Sequence, residues 1–185
     1  MNAARKPRRG RIPSGVPAAP ARDKENEVRR NFVFGPVPSR RLGISLGVDV
    51  IPPKTCTLDC IYCEAGRTRR LTKRRRAYVP AAEVVRQVGA ALRKGGRVDW
   101  ITFSGCGEQT LHSGLGGMIR AVKRMTRMPV AVLTSGTLLS DARVRRALRD
   151  ADLVVPSLDA GSARVFRQIN RPHQIGRASC RERVY

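Results

Sequence analysis

The chain is poor in aromatic residues, poor in acids and free of long apolar runs. Phe, Trp and Tyr make up only 4% of its 185 residues. No segment approaches the roughly 18 apolar residues of a membrane span. The first 30 residues contain no continuous apolar stretch, which argues against a signal peptide, although their arginines leave organelle targeting open. Asp and Glu number 14 against 37 Lys and Arg, for a formal net charge of +23. Lysine is itself rare, at 6 against 31 Arg. GC-rich coding produces such a bias, so part of the charge is compositional. A disulfide framework is also missing, because three of the five cysteines crowd into eight residues. Clustered thiols without a pairing pattern point to a reducing, cytoplasmic setting and to metal binding.

The two ends stand apart from the rest. Residues 1–30 are rich in Pro, Ala and Arg and lack apolar periodicity, and they read as a disordered basic tail. Residues 175–185 (Ile-Gly-Arg-Ala-Ser-Cys-Arg-Glu-Arg-Val-Tyr) read as a sequencing adaptor translated in one frame. Such a scar is excluded from fold reasoning, Cys180 with it, and the natural protein is expected to continue past Gln174. What remains, 31–174, is long enough for one domain with a real core.

Charge concentrates in residues 67–76, with seven cations and no acid. A solvated loop is one reading, and contact with RNA or another polyanion is the other. Aromatics nearby are only Tyr62 and Tyr78, so base stacking on a single strand has little support.

Periodicity predicts strands at 44–51, 98–103, 129–133 and 152–155. They alternate with helices at 80–94, 115–125, 141–149 and 162–168. Four βα units in succession predict a parallel sheet with outer helices, as a partial barrel or an open doubly wound sheet. In such folds chemistry gathers at the carboxyl ends of the strands. The unusual polar residues fall there. The cysteine loop follows the first strand, Ser104-Gly-Cys-Gly-Glu108 the second, Thr134-Ser-Gly136 the third and Ser157-Leu-Asp159 the fourth.

Cys56, Cys60 and Cys63 have the spacing C-x3-C-x2-C. Three thiolates are one ligand short of a tetrahedral zinc or a cubane iron–sulfur cluster. A missing protein ligand leaves a position where a substrate or cofactor can bind.

The run Phe34-Gly-Pro-Val-Pro-Ser-Arg-Arg-Leu-Gly43, the cysteine motif with Tyr62 before its last Cys, and Phe103-Ser-Gly-Cys-Gly-Glu-Gln-Thr-Leu111 carry a resemblance. They resemble the radical S-adenosylmethionine (SAM) superfamily, in particular its branch of iron–sulfur oxidoreductases similar to wyosine-tRNA synthases. Residues 132–136, 156–161 and 169–173 extend the similarity. The resemblance implies a partial (β/α) barrel of radical SAM type, here cut after about four units. It implies a 4Fe–4S cluster on Cys56, Cys60 and Cys63, with SAM on the fourth iron and reductive cleavage to a 5′-deoxyadenosyl radical. By position, Tyr62 would lie beside the cluster near the adenine. Gly105, Gly107 and Glu108 would meet the methionine amino group, and Ser135, Ser157 and Asp159 the ribose and carboxylate. An electron donor such as flavodoxin or ferredoxin, and tRNA as a possible substrate, are implied in the same way.

Two positions depart from the family pattern. Gln109 replaces a usual Pro, which predicts a looser backbone after Glu108. Ser135 replaces a common Asn, which shortens the reach to a ribose. Cys106, between two glycines, reads as a small buried residue, and His112 as a polar group at a helix start. The competing readings are a zinc-dependent RNA-binding module, its three Cys completed by Cys106 or His112, and an inactive fragment of a radical SAM protein.

Overall fold

The computed structural model describes residues 31–173. The expected disordered tail (1–30) and adaptor scar (175–185) lie outside the described residues. In chain order the strands are β1 (Val33–Ser39), β2 (Gly43–Val48), β3 (Thr55–Cys56), β4 (Arg70–Leu71), β5 (Trp100–Phe103), β6 (Val130–Thr134) and β7 (Leu153–Pro156). The helices are α1 (Ala81–Arg93), α2 (Leu115–Met125), α3 (Ala142–Leu148) and α4 (Ala163–Asn170).

Five strands form one sheet in the order β1-β2-β5-β6-β7. β2, β5, β6 and β7 run parallel, and the expected alternation of four strands and four helices is present. Parallel strands covered by helices read as short apolar runs, and Ile101, Phe103, Val130 and Val132 are indeed fully buried. α2 shows the matching helical stripe, burying Leu115, Met118, Ile119 and Val122. It packs on α1 and α3. At Gly116 an added Cβ would come within 2.9 Å of Ala147 Cα, so glycine sets the approach of α2 to α3.

Three features differ from the sequence reading. β1 is an additional strand, antiparallel to β2. β2 stops at Val48 rather than 51, because the next donors find other acceptors. Val50 N–H donates to Gln109 Oε1 (2.9 Å) and Ile51 N–H to Asp49 Oδ1 (3.1 Å). The segment 49–51 therefore leaves the ladder while staying buried. Lastly, β3 and β4 form a two-residue parallel clasp of their own.

Helix ends follow local chemistry. α1 terminates where Gly95 takes a φ of +76°. At α3 the Asp141 carboxylate caps Arg143 N–H (2.8 Å) and pairs with the Arg143 guanidinium (2.8 Å). That guanidinium holds the Asp141 carboxyl down at about 2. A depressed folded-state value means the contribution is complete above the unfolded value of about 4 and is lost as pH falls through about 2. Asp141→Ala is expected to lower stability by about 1 kcal/mol at pH 7. Urea melts of the two proteins should draw together as pH falls from about 4 through about 2.

Candidate functional site

The loop after β2 is held at its base. Lys54, at a φ of +62°, turns the chain after Pro52-Pro53. Its carbonyl accepts from Arg69 N–H (3.0 Å) and Arg70 N–H (2.9 Å), and Cys56 O accepts from Thr72 N–H (2.9 Å). Within this closed loop Cys63 N–H donates to Cys60 O (3.2 Å) and Gly66 N–H to Cys63 O (2.7 Å). Cys56 and Cys60 are half-buried, Cys63 is exposed, and none of the three is in a disulfide. Burial, reinforced by the nearby Glu108 carboxylate, pushes the Cys56 thiol up to about 11.

The loop after β5 lies against this clasp. Glu108 N–H donates to Thr55 O (3.2 Å) and Lys54 N–H to Cys106 O (3.0 Å). A Cβ on Gly107 would fall 2.3 Å from Thr55 O, and one on Gly105 would fall 2.2 Å from Asp49 Cγ. Both glycines are thus required by close approach. Asp49 accepts from Cys106 N–H (3.0 Å) and from Gln109 Nε2 (3.2 Å).

Gln109 corrects an expectation. Its amide is fully buried, accepts from Val50 N–H, and donates to Asp49 and to Gly107 O (3.1 Å). The backbone after Glu108 is tied through this side chain rather than loosened by the absence of proline. Cys106 corrects another: it is exposed, because its backbone N–H and C=O are both engaged on the protein side. His112 does stand at a helix start. Its Nδ1 accepts from Gly114 N–H (3.0 Å), and Nε2, carrying the proton, donates to Val79 O (3.0 Å). Both ring nitrogens are occupied, so His112 has no lone pair to offer a zinc.

Glu108 is 2% exposed. Its carboxylate accepts from Thr110 N–H (3.0 Å), Thr110 Oγ1, Thr134 Oγ1 (2.7 Å) and Ser135 N–H (2.6 Å). This joins the loops after β5 and β6. Ser135 Oγ in turn meets Thr57 Oγ1 (3.1 Å) and Thr137 Oγ1 (2.9 Å), linking the β6 loop to the residue next to Cys56.

A second group gathers around Cys60. Tyr62, 52% exposed, accepts from Asn170 Nδ2 (2.7 Å), and the same nitrogen reaches Cys60 Sγ (3.3 Å) and Asp159 Oδ2 (2.8 Å). Burial and hydrogen bonds to Asp159 and Cys60 push the Tyr62 phenol up, keeping it protonated. Ser157 enters only by its backbone N–H, which donates to Thr134 O (2.9 Å), and its side chain is exposed. Of the residues singled out in the sequence, the three Cys, Tyr62, Gly105, Gly107, Glu108, Ser135 and Asp159 thus share one end of the sheet. Asn170, Asp49 and Thr57 were not singled out. Asp49 and Asn170 share one signal, a short polar side chain at the end of an apolar strand or an amphipathic helix, which Thr57 lacks.

The donor set suits a cubane cluster. Each iron needs one thiolate, so the sulfurs need not converge on a point. Among the described residues no three His, Cys, Asp or Glu side chains do converge as a single metal ion would require. The basic run is likewise divided. Arg67, Arg69, Arg70, Arg74 and Arg76 are exposed. Arg75 turns inward, donating to Thr110 O (2.9 Å) and His112 O (3.4 Å).

A parallel sheet with a thiol-bearing loop and three polar loops at one end defines a βα protein whose polar residues gather at its strand ends. The sequence profile of the radical SAM superfamily matches residues 50–178. The chain belongs to that superfamily, and its sheet is a partial βα fold of that type. It is 37% identical over 145 residues to a UPF0026 protein of Methanocaldococcus jannaschii and 40% identical over 141 residues to one of Synechocystis. Those alignments cover 77% and 76% of this chain but 45% and 52% of the relatives. It is also 41% identical over 150 residues to a Brachyspira hyodysenteriae protein named GTPase Obg, covering 81% of this chain and 22% of that one. The chain spans about half the length, or less, of the curated relatives it matches.

Proposed function

We propose that Cys56, Cys60 and Cys63 each hold one iron of a 4Fe–4S cluster, and that SAM binds at the fourth. The observation that carries this reading is the assembly of three unpaired thiols with the loops after β5, β6 and β7 at one end of a radical SAM fold. When bound, such a cluster supplies one electron to the sulfonium of SAM, which releases methionine and a 5′-deoxyadenosyl radical. The chain's own residues bind and orient. The glycines at 105 and 107 bring the backbone close to the cysteine clasp. Glu108 fastens the β5 loop to the β6 loop, so the face offered to the methionine end is rigid. Ser135, Ser157 and Asp159 offer oxygens for the ribose and carboxylate, and Tyr62 lies beside Cys60 for the adenine. Preorganised polar groups of this kind act without reorganising during the reaction.

Reduction requires an electron donor of the flavodoxin or ferredoxin class. The five exposed arginines within 67–76 favour a polyanionic substrate, and structured RNA such as tRNA fits that chemistry. Anaerobic reconstitution of the 185-residue chain should give brown protein with about four irons. Dithionite and SAM should then yield 5′-deoxyadenosine, followed by chromatography. A colourless protein holding one zinc would sink the assignment.

A further inference from the structure

Asn170 closes α4 and is fully buried. Its Nδ2 carries two hydrogens and lies within reach of three atoms, Cys60 Sγ (3.3 Å), Tyr62 Oη (2.7 Å) and Asp159 Oδ2 (2.8 Å), so two of these contacts share one N–H. The Asp159 carboxylate can only accept, so it determines which end of the amide points to this group. The other end, Oδ1, is buried without a partner. Natural structures rarely leave a buried oxygen without a donor, so the contacts on the nitrogen side must outweigh that penalty. The backbone repeats the attachment. Asp59 N–H donates to Asn170 O (3.0 Å), Ile61 N–H to Ile169 O (2.8 Å) and His173 N–H to Thr57 O (3.0 Å). The segment 169–173 therefore runs along 57–61, the stretch that carries Cys60, with Arg171 at a φ of +41° making the turn out of the helix.

We infer that Asn170 is a positioning residue for Cys60, donating an amide N–H to the cysteine sulfur so that the thiolate is held in one direction and the cluster it serves is easier to reduce. The inference rests on the reading that Cys60 holds an iron. A donor aimed at a ligand sulfur stabilises added negative charge, and hydrogen bonds to the sulfurs are among the determinants of cluster potential. The attachment also gives the fourth βα unit a role at the cysteine loop, through side chain and backbone together.

The test uses the full chain, reconstituted anaerobically, with ¹⁵N in the asparagine side-chain amides. Pulsed EPR of the reduced wild-type cluster should show a ¹⁵N coupling, absent in Asn170→Ala and in Asn170→Leu, which keeps most of the volume without the donor. In redox titrations both variants should show about a tenfold lower reduced-to-oxidised ratio at a fixed potential, or ~59 mV for one electron. Unchanged spectra and potentials in iron-loaded variants would overturn the inference and leave the cluster assignment standing. A wild-type chain that takes up no iron overturns both. If neither variant folds, the wild-type ¹⁵N coupling decides: present, it supports the donor; absent, it removes it.

Discussion

Cys63→Ala is expected to come out of anaerobic reconstitution nearly colourless, with iron falling from about four per chain to fewer than about one. Dithionite and SAM should then produce no more 5′-deoxyadenosine than a protein-free control. The size of the effect follows from the ligand count. In the proposed assignment three thiolates serve three irons and SAM takes the fourth, which leaves no spare sulfur in the loop. The fold should barely register the change. Cys63 is exposed, and its ties, the N–H to Cys60 O and the carbonyl that accepts from Gly66 N–H, are backbone bonds that alanine keeps. Surface substitutions of this kind usually fall within about 0.5 kcal/mol. Iron assayed by chelation should therefore collapse, while the melting temperatures of the two iron-free proteins stay equal. A variant with wild-type iron would refute the three-ligand assignment.

Glu108→Ala is expected to do the reverse, destabilising the protein by about 4 kcal/mol whether or not SAM is present. The carboxylate serves four donors from Thr110, Thr134 and Ser135 at a site almost closed to solvent. Hydrogen bonds to a charged group contribute about 1.5–3 kcal/mol, and each buried donor left unpaired adds a cost of about 1–3 kcal/mol. For a domain of this size that corresponds to a drop in melting temperature of roughly 10 °C, readable by calorimetry. Glu108→Gln keeps the shape and an acceptor oxygen and should fall between the two. An unchanged melt in Glu108→Ala, with weaker SAM binding only, would mean that the carboxylate serves the cofactor's amine and not the loops.

The four βα units were legible because their apolar runs carry the period of each element. Val84 and Val88 repeat along α1 and are buried, and Ile101 and Phe103 stand on either side of Thr102 on β5. β1 was not legible, since Gly35, Pro36 and Pro38 all count against a strand. It exists as an edge strand, and its pairing with β2 is irregular between Phe34 and Val37. The cysteine motif was legible as a pattern of residue types. The side-chain roles around it were not, because they depend on contacts between distant positions. Gln109 reaches Val50, 59 residues away, and Asn170 reaches Cys60, 110 residues away. Cys106 was misread for a related reason: two flanking glycines say that space is tight around the backbone, but not on which side the thiol is left.

The attachment of 169–173 to 57–61 imposes an order on biosynthesis. At translation speeds of about 5–20 residues per second, the three thiols are made roughly 5–20 seconds before Asn170. During that interval the cysteine loop has no backing from α4, and its thiols are unguarded by the rest of the site. Iron delivered after synthesis meets a braced loop. Iron or oxidant arriving on the nascent chain meets a slack one, so under the proposed cluster assignment the timing of loading depends on the separation between Cys60 and Asn170.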